Sequence, residues 1–131
     1  MIVILDTNFL VKYFTASSDL GMSSKEIFED KNTFLIIPSI VLVELKYLIV
    51  KSRIPKEIAT STKILLEAGN CMVYPLDQNL INYIHESLNI HDGIIYATAV
   101  LQTESFKEEI YILTKDKEIK DLAKSPIKVV W

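Results

Sequence analysis

Short apolar runs of four or five residues alternate along this chain with longer stretches in which apolar side chains recur every three or four positions. That alternation predicts an α/β domain with a mainly parallel central sheet. The strand candidates are Met1 to Leu5, Thr33 to Ile37, Cys71 to Tyr74, Ile110 to Leu113 and Ile127 to Trp131. Rich in Ile and Val and free of charge, most of them resemble strands buried on both faces, the first and fourth above all. Helix signals fill the gaps. One helix follows Asp6 through Tyr13, and a short one spans Ser24 to Asp30 with Ser23 or Ser24 as cap. A third begins at Pro38-Ser39 and carries Val41, Leu45, Leu48 and Ile49 on one face. Pro55 is placed to open a fourth and Gly69 to close it. Asp77 caps a fifth through Leu80, Ile81, Ile84 and Leu88. His91 or Asp92 begins a sixth, and a seventh runs from about Lys117 to Ala123.

Composition narrows the class. With 131 residues, 50% of them hydrophobic and 24% charged, the chain predicts one globular domain over residues 1–131 and no disordered tract. The single cysteine, Cys71, excludes an internal disulfide and a cysteine-rich zinc site, and is expected to be a small buried apolar group. The richest apolar stretch, Phe34 to Val50, is broken by Pro38, Glu44 and Lys46, so no membrane span is predicted. Met1 to Leu5 meets Asp6 at once, which is too short a core for a signal peptide, and a cytoplasmic protein is expected. The charge is −3, from 14 basic and 17 acidic side chains, opposite to the basic excess of a simple nucleic-acid-binding module.

Those acids stand in informative places. Ligands of open parallel sheets bind beyond the carboxyl ends of the strands, and there Asp6 follows the first strand in LDTN and Asp116 the fourth in LTKD. Asp92 opens the sixth helix in NIHDGIIYATA. Helix capping accounts for any one of them, since an acid at a helix start gains about 0.3–1 kcal/mol from the dipole. Glu44 resists that account, because Val41, Glu44, Leu45 and Leu48 share one helix face well past its start. A carboxylate on an apolar stripe needs a partner, yet the chain has one arginine, Arg53, and no lysine falls on this face. If Asp6, Glu44, Asp92 and Asp116 converge, their repulsion calls for a cation, and oxygen-only ligands select Mg²⁺ or Mn²⁺. Metal-assisted phosphodiester hydrolysis follows, with Asp6 and Asp92 as the first ligands and Glu44 and Asp116 ligating directly or through water. Thr7, Asn8 and Thr114 are candidates to position water or a phosphate oxygen, and each also fits a cap or strand end.

The LDTN segment, the glutamate in PSIVLVELKYL, HDGIIYATA and LTKDKEI together resemble, in order and spacing, the PIN-domain ribonucleases, and among them the VapC-type toxins of toxin–antitoxin pairs. The resemblance implies a three-layer α/β/α sandwich of about five strands, an Mg²⁺- or Mn²⁺-dependent endoribonuclease, frequent homodimers, an RNA substrate and a cognate antitoxin protein that silences the site. Its four acidic positions fall on Asp6, Glu44, Asp92 and Asp116, and its polar residue after the strand on Thr7 or Asn8. Many relatives carry a further Asp close behind the fourth acid, where this chain has Lys117 and Glu118.

Other residues read more plainly. His85-Glu86 lacks the second histidine of a zinc-binding helix, with Asn89 in its place. His91 is expected to cap or face solvent rather than act in catalysis. Lys12, Lys46, Lys115 and Lys117 lie close in sequence to the acids and suit phosphate contact or a solvated face. Tyr13, Phe14, Tyr47 and Trp131 suit core or dimer packing better than base stacking. Two alternatives stay open: a PIN nuclease of RNA processing outside a toxin pair, and an Mg²⁺-dependent phosphotransfer domain of receiver or phosphatase type. The latter lacks a second acid, since Asn8 stands where a phosphatase needs Asp. A scaffold without catalysis has no support, because all four acids are present. Without those four, 13 acids face 14 bases, so the remaining surface is not acidic.

Overall fold

The computed structural model describes residues 1–131. Its strands are β1 (Ile2–Leu5), β2 (Phe34–Pro38), β3 (Cys71–Tyr74), β4 (Ile110–Leu113) and β5 (Ile127–Val130). Its helices are α1 (Thr7–Phe14), α2 (Met22–Glu29), α3 (Ser39–Val50), α4 (Glu57–Glu67), α5 (Gln78–Ile81), α6 (Ile90–Ser105) and α7 (Lys117–Leu122). The strands form one wholly parallel sheet in the order β3-β2-β1-β4-β5. Since such crossovers are right-handed, reversing direction between β3 and β4 moves the helices from one face to the other. The packing agrees: α1, α3 and α4 touch one another, whereas α6 lies against β1, β2, β4 and β5. The result is the expected α/β/α sandwich.

Burial follows position in the sheet. Ile4 pairs with Ile36 on one side and Ile112 on the other, and all three are sealed from water. Phe9, Leu10, Val41 and Leu45 from the helices, with Ile95 and Ala99 of α6, close over this rung. The outer strands depart from the expectation of two-sided burial, because an edge strand has one neighbour to cover it. Met72 and Val73 of β3 and Lys128 of β5 are exposed. Cys71, at the start of β3, is half-buried, and its loss of water pushes the thiol pKa up to about 11.

Four helix starts or ends differ from the sequence reading. Gly21, not Ser23 or Ser24, occupies the cap of α2, and the buried Ser24 hydroxyl donates instead to the Gly21 carbonyl (2.8 Å). The helix begun by Asp77 stops at Ile81 rather than continuing to Leu88. The His85 ring there takes up Ser87, whose N–H and hydroxyl lie 3.2 and 2.7 Å from Nδ1. Local side-chain bonds of this kind compete with the helical ladder. Consequently α6 starts earlier, capped by Asn89, and Asp92 falls inside its first turn. Gly93 is buried against the same 82–88 segment, where a Cβ would come within 3.0 Å of the Ile84 side chain. Gly69 follows the end of α4 as the reading placed it, though without a positive φ and so not through the left-handed conformation, whereas Pro55, read as the proline of the first turn, lies outside the helix before its cap Lys56.

Candidate active site

The strand order places β1 beside β4 at the point where the connections reverse, and crevices at such points bind ligands. Asp6 leaves the carboxyl end of β1 and Thr114 to Asp116 leave that of β4. Across from them stand Glu44 on α3 and Asp92 on α6. Together with Asn8, His91, Lys115 and Lys117, these residues line a cleft of about 320 Å³ whose wall holds no apolar side chain. All four acids singled out from the sequence therefore meet in one place.

Capping and cleft membership are not alternatives here. Asp6 caps α1, its Oδ1 accepting the Thr7 N–H at 2.6 Å, while Oδ2 accepts the Thr114 hydroxyl at 2.6 Å. Only 5% exposed, it is held from three sides. Asp116 caps α7 through Oδ1 and the Ile119 N–H (2.8 Å), and its own N–H donates to Thr114 Oγ1 (3.1 Å). Asn89 caps α6 reciprocally: its Oδ1 accepts the Asp92 N–H and its amide donates to Asp92 Oδ2, both at 2.9 Å. Each helix cap thus uses one carboxylate oxygen of Asp92 or Asp116 and leaves the other without a protein partner. Thr114 and Asn8 belong to the cleft wall; Thr7 does not, and its hydroxyl is buried without a hydrogen-bond partner while its backbone N–H orients Asp6.

His91 is the residue that sequence reasoning undervalued. Its Nδ1 lies 2.8 Å from Glu44 Oε2 and its Nε2 3.3 Å from Asp6 Oδ1. Carboxylate oxygens only accept, so a ring facing one at each nitrogen is satisfied in its doubly protonated form. The hydrogen bond to Asp6 and the charges of Glu44, Asp6 and Asp92 raise the His91 pKa, against the opposing effect of burial. Here is the cationic partner that Glu44 required. The available signals were its position next to Asp92 and the lack of any lysine on the Glu44 face. Glu118 is the second addition: Asp92, Asp116 and Glu118 can offer oxygens all within 4.8 Å of one another. Its sequence signal was an acid two residues after a cap.

Electrostatically, the cleft is short of positive charge. No lysine or arginine pairs with Asp92, Asp116 or Glu118. Burial, and then repulsion from Asp116, push Asp92 up to about 6. Three oxygen donors around an uncompensated charge could hold a divalent cation.

Raised pKa values at Asp92 and His91 act on stability with the same sign. Between its ordinary value and about 6, Asp92 binds a proton in the folded state only, so stability falls as pH rises through that interval. His91 stabilises fully below its unfolded pKa, and that contribution is lost as pH rises through the raised folded value. With metal chelated, the thermal midpoint is therefore expected to decline from pH 5.5 to pH 8. A midpoint that climbs over this range in differential scanning fluorimetry would contradict the assignment.

The PIN domain family profile matches residues 3–125. The chain belongs to the PIN domain family. PIN domains are nucleases. Among solved structures, VapBC2 from Rickettsia felis bound to a DNA fragment from its promoter aligns with a TM-score of 0.70 and 20% identity, over 99% of this chain and 98% of the other. The PIN domain endonuclease Utp24 aligns with a TM-score of 0.52 and 21% identity, over 99% and 85% of the two chains. At these identities the likeness is one of fold. Comparison with curated protein sequences gives no significant match. No helix of this PIN domain is long and apolar enough to cross a membrane.

Proposed function

We propose that this PIN domain is an Mg²⁺- or Mn²⁺-dependent endoribonuclease, the toxin of a toxin–antitoxin pair. The observation that carries the nuclease reading is the pair of carboxylate oxygens, one on Asp92 and one on Asp116, left unpartnered beside Glu118 while their neighbours are fixed by helix caps. These three residues would hold the metal, with Asp6 next to them and Glu44 in reach through His91. When bound, such an ion lowers the pKa of an attacking water and offsets charge on the leaving oxygen.

The chain's own residues supply the rest. Thr7 N–H and the Thr114 hydroxyl lock Asp6 in one orientation, so the carboxylate needs no rearrangement when substrate enters. Asn89 does the same for Asp92 from the first turn of α6. Lys117, on the cleft wall with its ammonium 2.9 Å from Asp121, would have to turn from that carboxylate to meet an approaching phosphate. Asn8, exposed on that wall, has donors and an acceptor for a phosphate oxygen or a water.

Matching length and fold support the toxin reading over an RNA-processing role, since the alignment with VapBC2 spans nearly the whole of both chains at the higher of the two TM-scores. An antitoxin with basic side chains suits the acidic cleft. A homodimer would cover the outward face of α3, where Val43, Tyr47 and Val50 are exposed although the inward face already buries Val41 and Leu45. A helix apolar on both sides is expected to be covered on both.

The direct test is cleavage of a structured RNA by purified protein. Fragments are expected with Mg²⁺ or Mn²⁺, none in excess chelator, and none from a folded Asp6→Asn variant. Cleavage that persists in chelator, or a stable aspartyl phosphate formed from a small phosphodonor, would refute the nuclease reading.

A further inference from the structure

Beside the cleft, on the loop joining α1 to α2, the carboxylate of Asp19 meets two lysines at once. Lys115 Nζ lies 2.5 Å from Oδ1 and Lys12 Nζ 3.3 Å from Oδ2. The backbone of the loop is fixed by other means. Asp19 N–H donates to Ser17 Oγ (3.2 Å), and its carbonyl accepts the Trp131 indole N–H (2.9 Å). Ser17 N–H closes a turn onto the Lys12 carbonyl (2.9 Å), with Ala16 in the left-handed region at φ 52°. At Gly21 a Cβ would run into the Trp131 carbonyl, so the loop lies tightly on the end of the last strand. The Asp19 carboxylate takes no part in any of this: it caps no helix and its partners are the two ammonium groups.

Those two lysines join two concave regions. Lys115 is part of the cleft wall, between Thr114 and Asp116, and its ammonium sits 5.3 Å from the Trp131 ring centroid. Lys12 is part of the wall of a neighbouring cavity of about 450 Å³ between α1 and α2, with Tyr13, Ser17, Leu20 and Lys25. A strand of RNA leaving the cleft past Lys115 would meet Lys12 next. We propose that Lys12 and Lys115 form a backbone phosphate subsite of the RNA, and that in the absence of RNA the Asp19 carboxylate occupies it.

The chemistry supports an exchange. A phosphodiester, like a carboxylate, presents two anionic oxygens on one atom, so it can take both ammonium groups together. Asp19, Lys12 and Lys115 are all about half exposed, and exposed ion pairs are individually weak and screened by salt. RNA gains in addition by releasing counterions when its phosphates are neutralised. Displacing Asp19 requires a side-chain rotation only, because the loop backbone is held independently.

This inference rests on the nuclease reading, and metal-free binding separates the two. Fluorescence anisotropy of a short labelled single-stranded RNA, in chelator, is compared for wild type, Asp19→Asn, Lys12→Gln, Lys115→Gln and the combined triple variant. Asp19→Asn is expected to tighten binding about three- to tenfold. Each Lys→Gln change is expected to weaken binding and to flatten the slope of log affinity against log salt by about 0.7, as for one lost single-strand phosphate contact. The gain from Asp19→Asn should vanish once both lysines are gone. Glu67→Gln, the same charge change on exposed α4, should not reproduce it. Unchanged or weaker binding by Asp19→Asn, a gain that survives loss of the lysines, or an equal gain from Glu67→Gln would overturn the subsite while leaving the nuclease reading intact. No RNA binding by the wild type would overturn the subsite, and the nuclease reading is then decided by the cleavage test with metal.

Discussion

Asp92→Asn is expected to reduce single-turnover RNA cleavage by about three orders of magnitude, roughly 4 kcal/mol of transition-state stabilisation. The variant keeps the backbone N–H that Asn89 caps and an oxygen able to accept the Asn89 amide, so α6 and the cleft wall stay in place. What it loses is the anionic oxygen facing Asp116 and Glu118. The same substitution is expected to raise the metal-free thermal midpoint at pH 7.5. Ionised Asp92 is disfavoured there by burial and by Asp116, strongly enough to outweigh its helix-dipole and Asn89 contacts, and an amide escapes that penalty. Added Mn²⁺ should then stabilise the wild type and leave the variant nearly unmoved. A variant that retains cleavage within tenfold of wild type, or that melts lower without metal, would remove Asp92 from the place assigned to it.

The largest effect on stability is expected at Phe9→Ala, a loss of about 3–5 kcal/mol. Phe9 is wholly buried in α1, and its ring centroid lies 5.2 Å from Phe28 of α2, 6.0 Å from Tyr13 and 6.1 Å edge-on from Trp131. One side chain therefore joins α1, α2 and the segment after β5. Few single-residue cavities could be filled less easily, because the surrounding rings are rigid and come from three separate elements. Against a typical total of about 5–15 kcal/mol, such a loss is a large share of the whole. Urea titration followed by tryptophan fluorescence measures it directly, since Trp131 is the chain's single tryptophan. A loss below about 1 kcal/mol would mean that the site collapses around the missing ring.

The framework of the fold was legible because short Ile- and Val-rich runs such as Ile2–Leu5 and Ile110–Leu113 have one comfortable place, the centre of a parallel sheet. What escaped was decided by single side chains. Periodicity alone continues the Asp77 helix to Leu88, and could not register that it stops at Ile81 or that Asn89 caps α6. The site was legible where a residue type conflicted with its surroundings, as Glu44 did on an apolar stripe. His91 carried no such conflict, because a histidine near a helix start is unremarkable until the partner across the cleft is known. Asp6 and Asp116 posed a choice between cap and ligand, and the two differ in the structure: Asp116 caps α7 with one oxygen and keeps the other without a protein partner, whereas both oxygens of Asp6 accept protein donors. The aromatic residues divide likewise: Tyr13 and Trp131 pack on Phe9, while Tyr47 stays exposed beneath Lys51 and Arg53.

The central place of β1 governs when the cleft comes into being during synthesis. Asp6 follows β1, yet the hydroxyl that orients it belongs to Thr114, 108 positions later. Strands β1, β2 and β3 can align from the amino-terminal portion, but the crevice exists only after β4 has threaded in beside β1. Pairings of such long range close late, because the loop entropy must be overcome first. A nascent chain is thus unable to assemble the constellation until β4 and the residues after it, through Asp116, have been made. The timing of the cleft is a by-product of strand order alone.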